Sequence, residues 1–204
     1  GIIGRTGQGD YGHLLDTAYR GLSNVEVVSV ADSNSDGLRK AAKRTGAQRL
    51  YNDYREMLDK EQLDLVNVCP RWPDCHEEMV IACAESGVKG ILVEKPFART
   101  LREADAMLEA CETNGVRLAV AHRRANAYEQ RAKQLVEAGV IGQIKVMRGH
   151  DKADQRSGAQ LLIVLGSHIF DSILWFADSK VRWGYGHVTQ DGNEITAKDI
   201  RQGE

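Results

Sequence analysis

The chain has 204 residues, of which 42% are hydrophobic and 27% charged, and its 27 basic and 29 acidic side chains leave a net charge of −2. This composition is typical of a folded globular protein and excludes disordered and collagen-like chains. Because the charge is nearly balanced, we expect neither nucleic acid nor a membrane surface as a partner. The length fits one large domain, or one complete domain and part of another.

Cysteine usage and the start of the chain bear on the cellular compartment. The four cysteines lie in or beside apolar stretches without C-x-x-C spacing, so we expect buried, reduced thiols. No signal peptide precedes the first apolar residues, from which we expect a cytoplasmic protein. The longest apolar stretch, 161–177, contains His168 and Asp171 and is too short and too polar to span a bilayer.

The first part of the chain alternates between two periodicities. Apolar runs of strand length occur at 1–4, 25–31, 63–69, 90–93 and 116–121, and segments with helical spacing of apolar residues separate them, at 15–22, 38–42, 75–83 and 101–111. This alternation predicts a parallel sheet covered by helices on both faces. We therefore predict the α/β class, with a doubly wound Rossmann domain over residues 1–122.

The pattern changes after residue 122. A predicted helix at 126–138 and a strand at 143–149 are followed by a polar loop at 151–160, an apolar helix at 161–177 and a strand at 181–189. These elements predict an incomplete α+β substrate and oligomerisation domain over 123–204, since they are too few to close a sheet. Because residue 1 is not Met, we expect a fragment of a longer protein. We expect the full-length protein to form a homo-oligomer.

A glycine-rich loop follows the first strand. Gly7, Gly9 and Gly12 match G-x-G-x-x-G, a spacing that lets backbone N–H groups approach a pyrophosphate at a helix N-terminus. A second register begins at Gly4 and puts Thr6 in the place of the second glycine. The loop predicts dinucleotide binding, although a plain glycine-rich connection between strand and helix is the alternative.

An acidic residue ends the second predicted strand. Asp32 lies about twenty residues beyond the loop, where a carboxylate accepts hydrogen bonds from the ribose hydroxyls of NAD and repels the 2′-phosphate of NADP. Ser33 continues the turn and is a further candidate cofactor contact. NAD is therefore favoured, while Arg39 or Lys40 could serve NADP, and an ordinary Asp in a turn is the alternative.

The sequence Glu94-Lys95-Pro96 follows the fourth predicted apolar run. A lysine at the carboxyl end of a parallel strand lies in the crevice where doubly wound sheets bind ligands. Its ammonium could stabilise a developing alkoxide on a substrate. The alternative is a solvated loop lysine.

Taken in order, these motifs resemble the Gfo/Idh/MocA family of NAD(P)-dependent oxidoreductases. The resemblance rests on the glycine loop and on residues spread over most of the chain: Asp32, Cys69-Pro70 with His76 downstream, Glu94-Lys95-Pro96, Glu103-Ala104 and Gly139-Val140-Ile141-Gly142. It implies that Lys95 contacts the substrate and also lies near the cofactor. It also implies that residues after two of the strands lie near the cofactor, namely Cys69, Pro70, Arg71, His76 and Glu94.

The segment 166–171 resembles the family's Asp-x-Gly-x-His-x-x-Asp sequence on a helix of the substrate domain. His168 and Asp171 lie on one helix face, because they are three residues apart. Val164 stands where the family has its first Asp, so the usual neighbour of the histidine is missing. His13 follows the glycine loop and could lie near the cofactor phosphates, and His122 ends the last predicted strand of the Rossmann domain.

The sequence thus predicts an NAD(P)-dependent oxidoreductase that acts on a sugar, polyol or related hydroxylated molecule, with no metal site. In this hypothesis His168 exchanges the hydroxyl proton, Asp171 lies beside it, and Lys95 polarises the oxygen. Two alternatives stay open. One is a relative that uses NAD transiently in glycoside cleavage or elimination, and the other is a non-catalytic nucleotide-binding module.

Overall fold

A computed structural model describes residues 1–122, 126–150, 165–187, 189–190 and 192–194. The chain forms two compact units, Gly1–Ala121 and His122–Glu204. The predicted loop 151–160, Val164 and most of the polar tail lie outside the described residues.

The first unit contains a parallel sheet of six strands. In chain order the strands are β1 (Ile2–Ile3), β2 (Ser29–Ala31), β3 (Arg49–Tyr51), β4 (Leu65–Val68), β5 (Gly90–Val93) and β6 (Arg117–Val120). Their spatial order is β3-β2-β1-β4-β5-β6, the doubly wound arrangement, so the predicted fold class is confirmed. Strand β3 was not predicted.

Four α-helices connect these strands: α1 (Ser35–Thr45), α2 (Tyr54–Lys60), α3 (His76–Glu85) and α4 (Leu101–Thr113). Three begin at side-chain caps. Asn34, Asp53 and Thr100 each accept a hydrogen bond from a backbone N–H in the first turn of the helix that follows. Helix α2 was not predicted from the apolar pattern.

Apolar side chains from both faces of the sheet form two buried clusters. One packs β4 and β5 against α3 and α4, and the other packs β1 and β2 against α1. All four cysteines are buried and free, as predicted. Both faces of the central strands are therefore covered, as a parallel sheet requires.

The segment after the glycine loop differs from its prediction. We expected an α-helix over 15–22, but the structure has only a three-residue 3₁₀ helix, Leu15–Thr17. Leu14, directly before this segment, and Gly21, within it, adopt positive φ angles of 59° and 87°, which a continuous right-handed helix excludes. Asn67 of β4 holds this segment instead, because its side chain donates to the carbonyl of Leu15 and accepts from the hydroxyl of Tyr19.

The second unit contains two described α-helices, α5 (Ala127–Glu137) and α6 (Ser167–Ala177), and a short antiparallel pair, β7 (Thr189–Gln190) and β8 (Asn193–Glu194). Helix α5 matches its prediction, and α6 covers the described end of the predicted helix 161–177. The strands predicted at 143–149 and over 181–187 are wrong, since those residues lack regular structure. They pair with no strand among the described residues, and an unpaired segment forms no ladder. No described helix is long and apolar enough to cross a membrane.

Candidate functional site

The carboxyl ends of β1, β2, β4 and β5 lie along one edge of the parallel sheet. The strand order reverses between β1 and β4, which pair directly. Ligands of doubly wound sheets bind in the crevice at such a reversal. The glycine loop, Asp32 and Lys95 each follow one of these strands and so share this edge.

The glycine loop is closed by its own backbone and by Asp10. The N–H of Asp10 donates to the carbonyl of Arg5 and the reverse bond also forms, while the N–H of Gly7 donates to Oδ1 of Asp10 at 2.9 Å. A Cβ at Gly9 would lie 2.6 Å from the backbone nitrogen of Arg71, whereas a Cβ at Gly7 would meet nothing within 4 Å. Gly9 therefore packs the loop against the backbone that follows β4. The space beside Gly7 is open.

The carboxylate of Asp32 anchors the start of the glycine loop through hydrogen bonds. Asp32 is almost fully buried and accepts from the hydroxyl of Thr6 at 2.7 Å, from the N–H of Thr6 at 3.1 Å and from the N–H of Asn34 at 2.9 Å. A Cβ at Gly37 would lie 1.8 Å from the Thr6 hydroxyl oxygen. The small residue on α1 therefore makes room for the bonds between Thr6 and Asp32, while Ser33 is exposed beside them.

Tyr11 fills the space beneath the loop. A Cβ at Gly4 would lie 2.1 Å from its ring, and the guanidinium of Arg44 lies 5.0 Å from the ring centroid. Burial and the nearby charge of Asp32 raise the pKa of Tyr11 well above its usual value. The hydroxyl therefore stays protonated over the whole physiological range.

The residues after β4 support the loop with backbone groups. The N–H of Arg71 donates to the carbonyl of Gly9 at 3.0 Å, and Arg71 extends an exposed side chain. Cys69 points into the core, where burial raises the pKa of its thiol. His76 is fully buried, with one ring nitrogen 2.7 Å from the carbonyl oxygen of Pro70 and the other 3.0 Å from that of Phe97. The structure thus places His76 beneath the predicted cofactor contacts, where it joins the turns after β4 and β5.

The turn after β5 carries Glu94 and Lys95, which are both buried. Oε1 of Glu94 lies 2.6 Å from Nδ1 of His13, whose side chain is largely exposed. A Cβ at Gly12 would lie 2.9 Å from the carboxyl carbon of Glu94. The turn that holds Lys95 is therefore packed directly against the end of the glycine loop.

In the second unit, three side chains come together. Nδ1 of His168 lies 3.1 Å from Nε2 of His122, and their ring centroids are 4.8 Å apart. Nδ1 of His122 lies 3.1 Å from Oδ2 of Asp171. The predicted pair on α6 is thus joined through a histidine that sequence reasoning had not assigned to it.

Sequence reasoning missed the partners of three predicted residues. Thr6 was predicted to contact the cofactor rather than Asp32, His13 was placed near the phosphates rather than on Glu94, and His122 had no assigned partner. A hydroxyl in a glycine's place is the one signal that could have pointed to Asp32. Among the described residues, no cluster of His, Cys, Asp and Glu could hold a metal ion.

The observed loop can accommodate a dinucleotide beside Gly7. Open space beside Gly7 lets a phosphate approach the backbone, and Asp32 directly follows β2, the position from which a carboxylate contacts the ribose. Two details differ from the expected arrangement. No α-helix begins at the loop, and the carboxylate of Asp32 already accepts a hydrogen bond from the hydroxyl of Thr6. Backbone groups of the loop rather than a helix N-terminus would therefore hold the phosphates.

Comparisons with known proteins agree with this geometry. D-apiose dehydrogenase of Paraburkholderia graminis is 43% identical over 103 residues, 50% of this chain and 27% of that protein. Myo-inositol 2-dehydrogenase of Thermotoga maritima is 30% identical over 206 residues, 97% of this chain and 60% of that protein. The crystal structure of myo-inositol 2-dehydrogenase from Lactobacillus plantarum superposes with a TM-score of 0.72 at 26% identity, covering 87% of this chain and 55% of that one. The chain thus spans at most 60% of these relatives.

A family model described as "Oxidoreductase family, NAD-binding Rossmann fold" matches residues 1–122. The match covers the whole six-stranded sheet together with the glycine loop, Asp32 and Lys95. The chain therefore belongs to the Gfo/Idh/MocA family of oxidoreductases.

Proposed function

We propose that the protein containing this chain is an NAD-dependent dehydrogenase of a sugar, polyol or related hydroxylated molecule. The observation that carries this proposal is the placement of buried Lys95 directly after β5, on the sheet edge that also carries the glycine loop and Asp32. A cofactor crevice and a cationic side chain that can meet a substrate oxygen thus share one edge of the sheet.

The substrate class is supported by the names of the relatives. They include dehydrogenases of D-apiose, myo-inositol and levoglucosan, which are all polyhydroxylated compounds. The proposed reaction removes a hydride from a carbinol carbon, so such compounds are its natural substrates.

Residues of the first unit hold the cofactor in this proposal. When bound, NAD would accept the hydride from the substrate carbon. The loop between Gly4 and Gly12 would hold the pyrophosphate, and Asp32 and Ser33 would contact the ribose. The turn residues Cys69, Pro70 and Arg71, supported by His76, line the crevice. The carboxylate of Asp32 would exclude a 2′-phosphate by charge repulsion, which favours NAD over NADP.

Two side chains handle the substrate hydroxyl. Lys95 donates a hydrogen bond to the oxygen and stabilises the negative charge that develops there. His168 accepts the hydroxyl proton as general base, with Asp171 on the same helix face. We further propose that residues 1–122 form the cofactor domain and 123–204 part of a substrate domain, and that the protein works as a cytoplasmic homo-oligomer.

Cofactor binding and turnover test this proposal in sequence. Protein denatured after purification should release NAD, or the purified protein should bind added NAD more tightly than NADP. NADH formation at 340 nm is then measured with myo-inositol, D-apiose and levoglucosan. Product without accumulated NADH would instead support transient oxidation, and failure to bind either nucleotide would refute the cofactor assignment.

Lys95→Met removes the ammonium but keeps the length of the side chain. We expect it to lower kcat roughly 100-fold or more while NAD still binds, because the developing charge loses its partner. Lys89→Met is the matched control, since Lys89 is exposed and pairs with Asp64 at the opposite end of β5. Equal turnover in the two variants would remove Lys95 from the reaction.

A further inference from the structure

The second unit contains a linear arrangement of three titratable side chains. Asp171 and His168 lie on α6, and His122 lies at the start of the unit, between them in space. The two contacts are each 3.1 Å, from Oδ2 of Asp171 to Nδ1 of His122 and from Nε2 of His122 to Nδ1 of His168. Each ring nitrogen of His122 therefore faces a different partner.

The carboxylate at one end determines which nitrogens carry protons. An ionised carboxylate only accepts hydrogen bonds, so Asp171 favours the proton of His122 on Nδ1. Nε2 of His122 is then an acceptor, which favours the proton of His168 on Nδ1. This arrangement leaves Nε2 of His168 with a lone pair that can accept a proton.

Burial adds a reason for this order. Nδ1 of His122 is shielded from solvent and makes no hydrogen bond of good geometry among the described residues, although Asp171 is within reach. Leaving a shielded polar nitrogen unpaired is unfavourable, which favours a hydrogen bond from Nδ1 of His122 to the nearby carboxylate of Asp171.

We propose that His122 is a positioning residue that links Asp171 to His168 and holds the His168 imidazole with Nδ1 protonated, so that Nε2 is the nitrogen that takes the substrate proton. It supplies the hydrogen-bond partner that Val164, being apolar, cannot supply. The inference rests on the proposed function for its role in turnover, but the protonation pattern is a property of the protein alone. In the proposed reaction the hydroxyl O–H bond would break and its proton would move to Nε2 of His168, while the C–H bond breaks and the C=O bond forms; NAD, when bound, would supply the hydride acceptor.

Long-range ¹H–¹⁵N NMR of the histidine rings tests the pattern without cofactor or substrate. The signals of the two residues are assigned with His122→Ala and His168→Ala. We expect His168 protonated on Nδ1 in the unaltered protein and a shift of the population toward Nε2 in His122→Ala. An Nε2-protonated His168 in the unaltered protein overturns the proposal, whether or not a substrate has been found.

Turnover separates positioning from a structural role. His122→Ala should lower kcat roughly 10- to 100-fold with KM and NAD affinity little changed, since the base is misdirected rather than removed. Added imidazole should restore part of that kcat, and His122→Gln, whose carbonyl can accept from His168, should lose less. His187→Ala is the matched control, because His187 is an exposed histidine paired with Glu194 in the same unit.

The possible failures are distinguishable. If His168→Ala keeps full turnover, the proposed function loses its base, while the NMR result still decides the role of His122. If His168→Ala is inactive and His122→Ala keeps full kcat with an unchanged tautomer, His122 is not a positioning residue. A His122→Ala protein that unfolds shifts the decision to His122→Gln and to the unaltered protein.

Discussion

Nδ1 of His13 lies 2.6 Å from Oε1 of Glu94, so the end of the glycine loop is tied to the turn that carries Lys95. Glu94 is buried, and a Cβ at residue 12 would lie within 2.9 Å of its carboxyl carbon, so the absence of a side chain at Gly12 makes room for this carboxylate. The contact makes the order of the loop depend on the turn after β5. It therefore couples the part of the site that would hold phosphates to the part that would meet substrate.

Removing this tie should loosen the loop. His13→Ala is expected to speed hydrogen exchange of the backbone amides of residues 7–12 by several-fold and to weaken NAD binding, because the loop loses its contact with a buried carboxylate. Hydrogen exchange with mass spectrometry and a binding titration measure the two effects. Lys60→Ala, which removes an exposed ion pair with Glu56 on α2, is the control and should leave both unchanged. Identical exchange in the two variants would contradict the coupling.

Gly37 and Thr6 should be energetically coupled. A Cβ at residue 37 would overlap the Thr6 side chain, so Gly37→Ala is expected to lower the free energy of unfolding although alanine is the better helix former. In the double variant with Thr6→Gly, the clash disappears and much of the loss is recovered. Urea unfolding of the four proteins gives a coupling energy, which we expect to be about 1–2 kcal/mol. A value near zero would mean that Thr6 lies elsewhere in solution.

The hydroxyl of Thr6 stabilises the loop through a charged acceptor. Thr6→Val keeps the shape of the side chain and removes its bond to Oδ2 of Asp32. Because hydrogen bonds to charged groups contribute about 1.5–3 kcal/mol, the free energy of unfolding should fall by about that amount. Thr17→Val is a suitable comparison, since that hydroxyl bonds only an exposed carbonyl and its loss should cost less. An equal loss in the two variants would contradict the role of Asp32.

Asp32 should determine which nucleotide is preferred. Asp32→Ser removes the negative charge at the end of β2 and is expected to narrow the preference for NAD over NADP at least about 10-fold, since a 2′-phosphate is no longer repelled. Competition binding with the two nucleotides measures this ratio. The variant should also be less stable, because Thr6 and Asn34 lose their common acceptor. An unchanged ratio would remove Asp32 from the ribose site.

The buried thiols should make stability fall at high pH. Burial raises the pKa of Cys75 from 9.0 to about 11, so above pH 9 the unfolded chain releases a proton that the folded chain retains. The stabilising contribution is complete below pH 9 and is lost as the pH rises toward 11, with a slope of up to about 1.4 kcal/mol per pH unit. Urea unfolding between pH 8 and 10.5 should show a smaller slope for Cys75→Ala. Parallel curves would mean that this thiol ionises equally in both states.

The fold was predictable where buried strands produce continuous apolar runs in the sequence. The runs that became β1, β2, β4 and β5 lie inside the sheet and are apolar because neighbours cover them on both sides. Strand β3 escaped notice because it is an edge strand with exposed Arg49 and Leu50, so no continuous apolar run marks it. The absent helix after the glycine loop depends on positive φ angles at Leu14 and Gly21, and a leucine in the sequence does not predict such an angle.

The candidate site was predictable where chain position alone decides geometry. Asp32 and Lys95 follow parallel strands, so the fold brings their side chains to one edge once the sheet is known. The partners of these residues depend on contacts across long separations in sequence, as between His13 and Glu94 or His122 and His168. Such pairs leave no local pattern, and only the structure reveals them.

The turn-rich segment after the glycine loop also limits how this protein can be redesigned. In a relative whose glycine loop leads into a regular helix, the loop alone could be replaced by that of another protein. Here Leu14 has a left-handed backbone conformation, and the side chain of Asn67 on β4 bonds Leu15 and Tyr19. A loop grafted alone would lack these hydrogen bonds. A successful chimera must therefore exchange residues 4–21 together with the matching position on β4, which makes this whole stretch the smallest transferable unit.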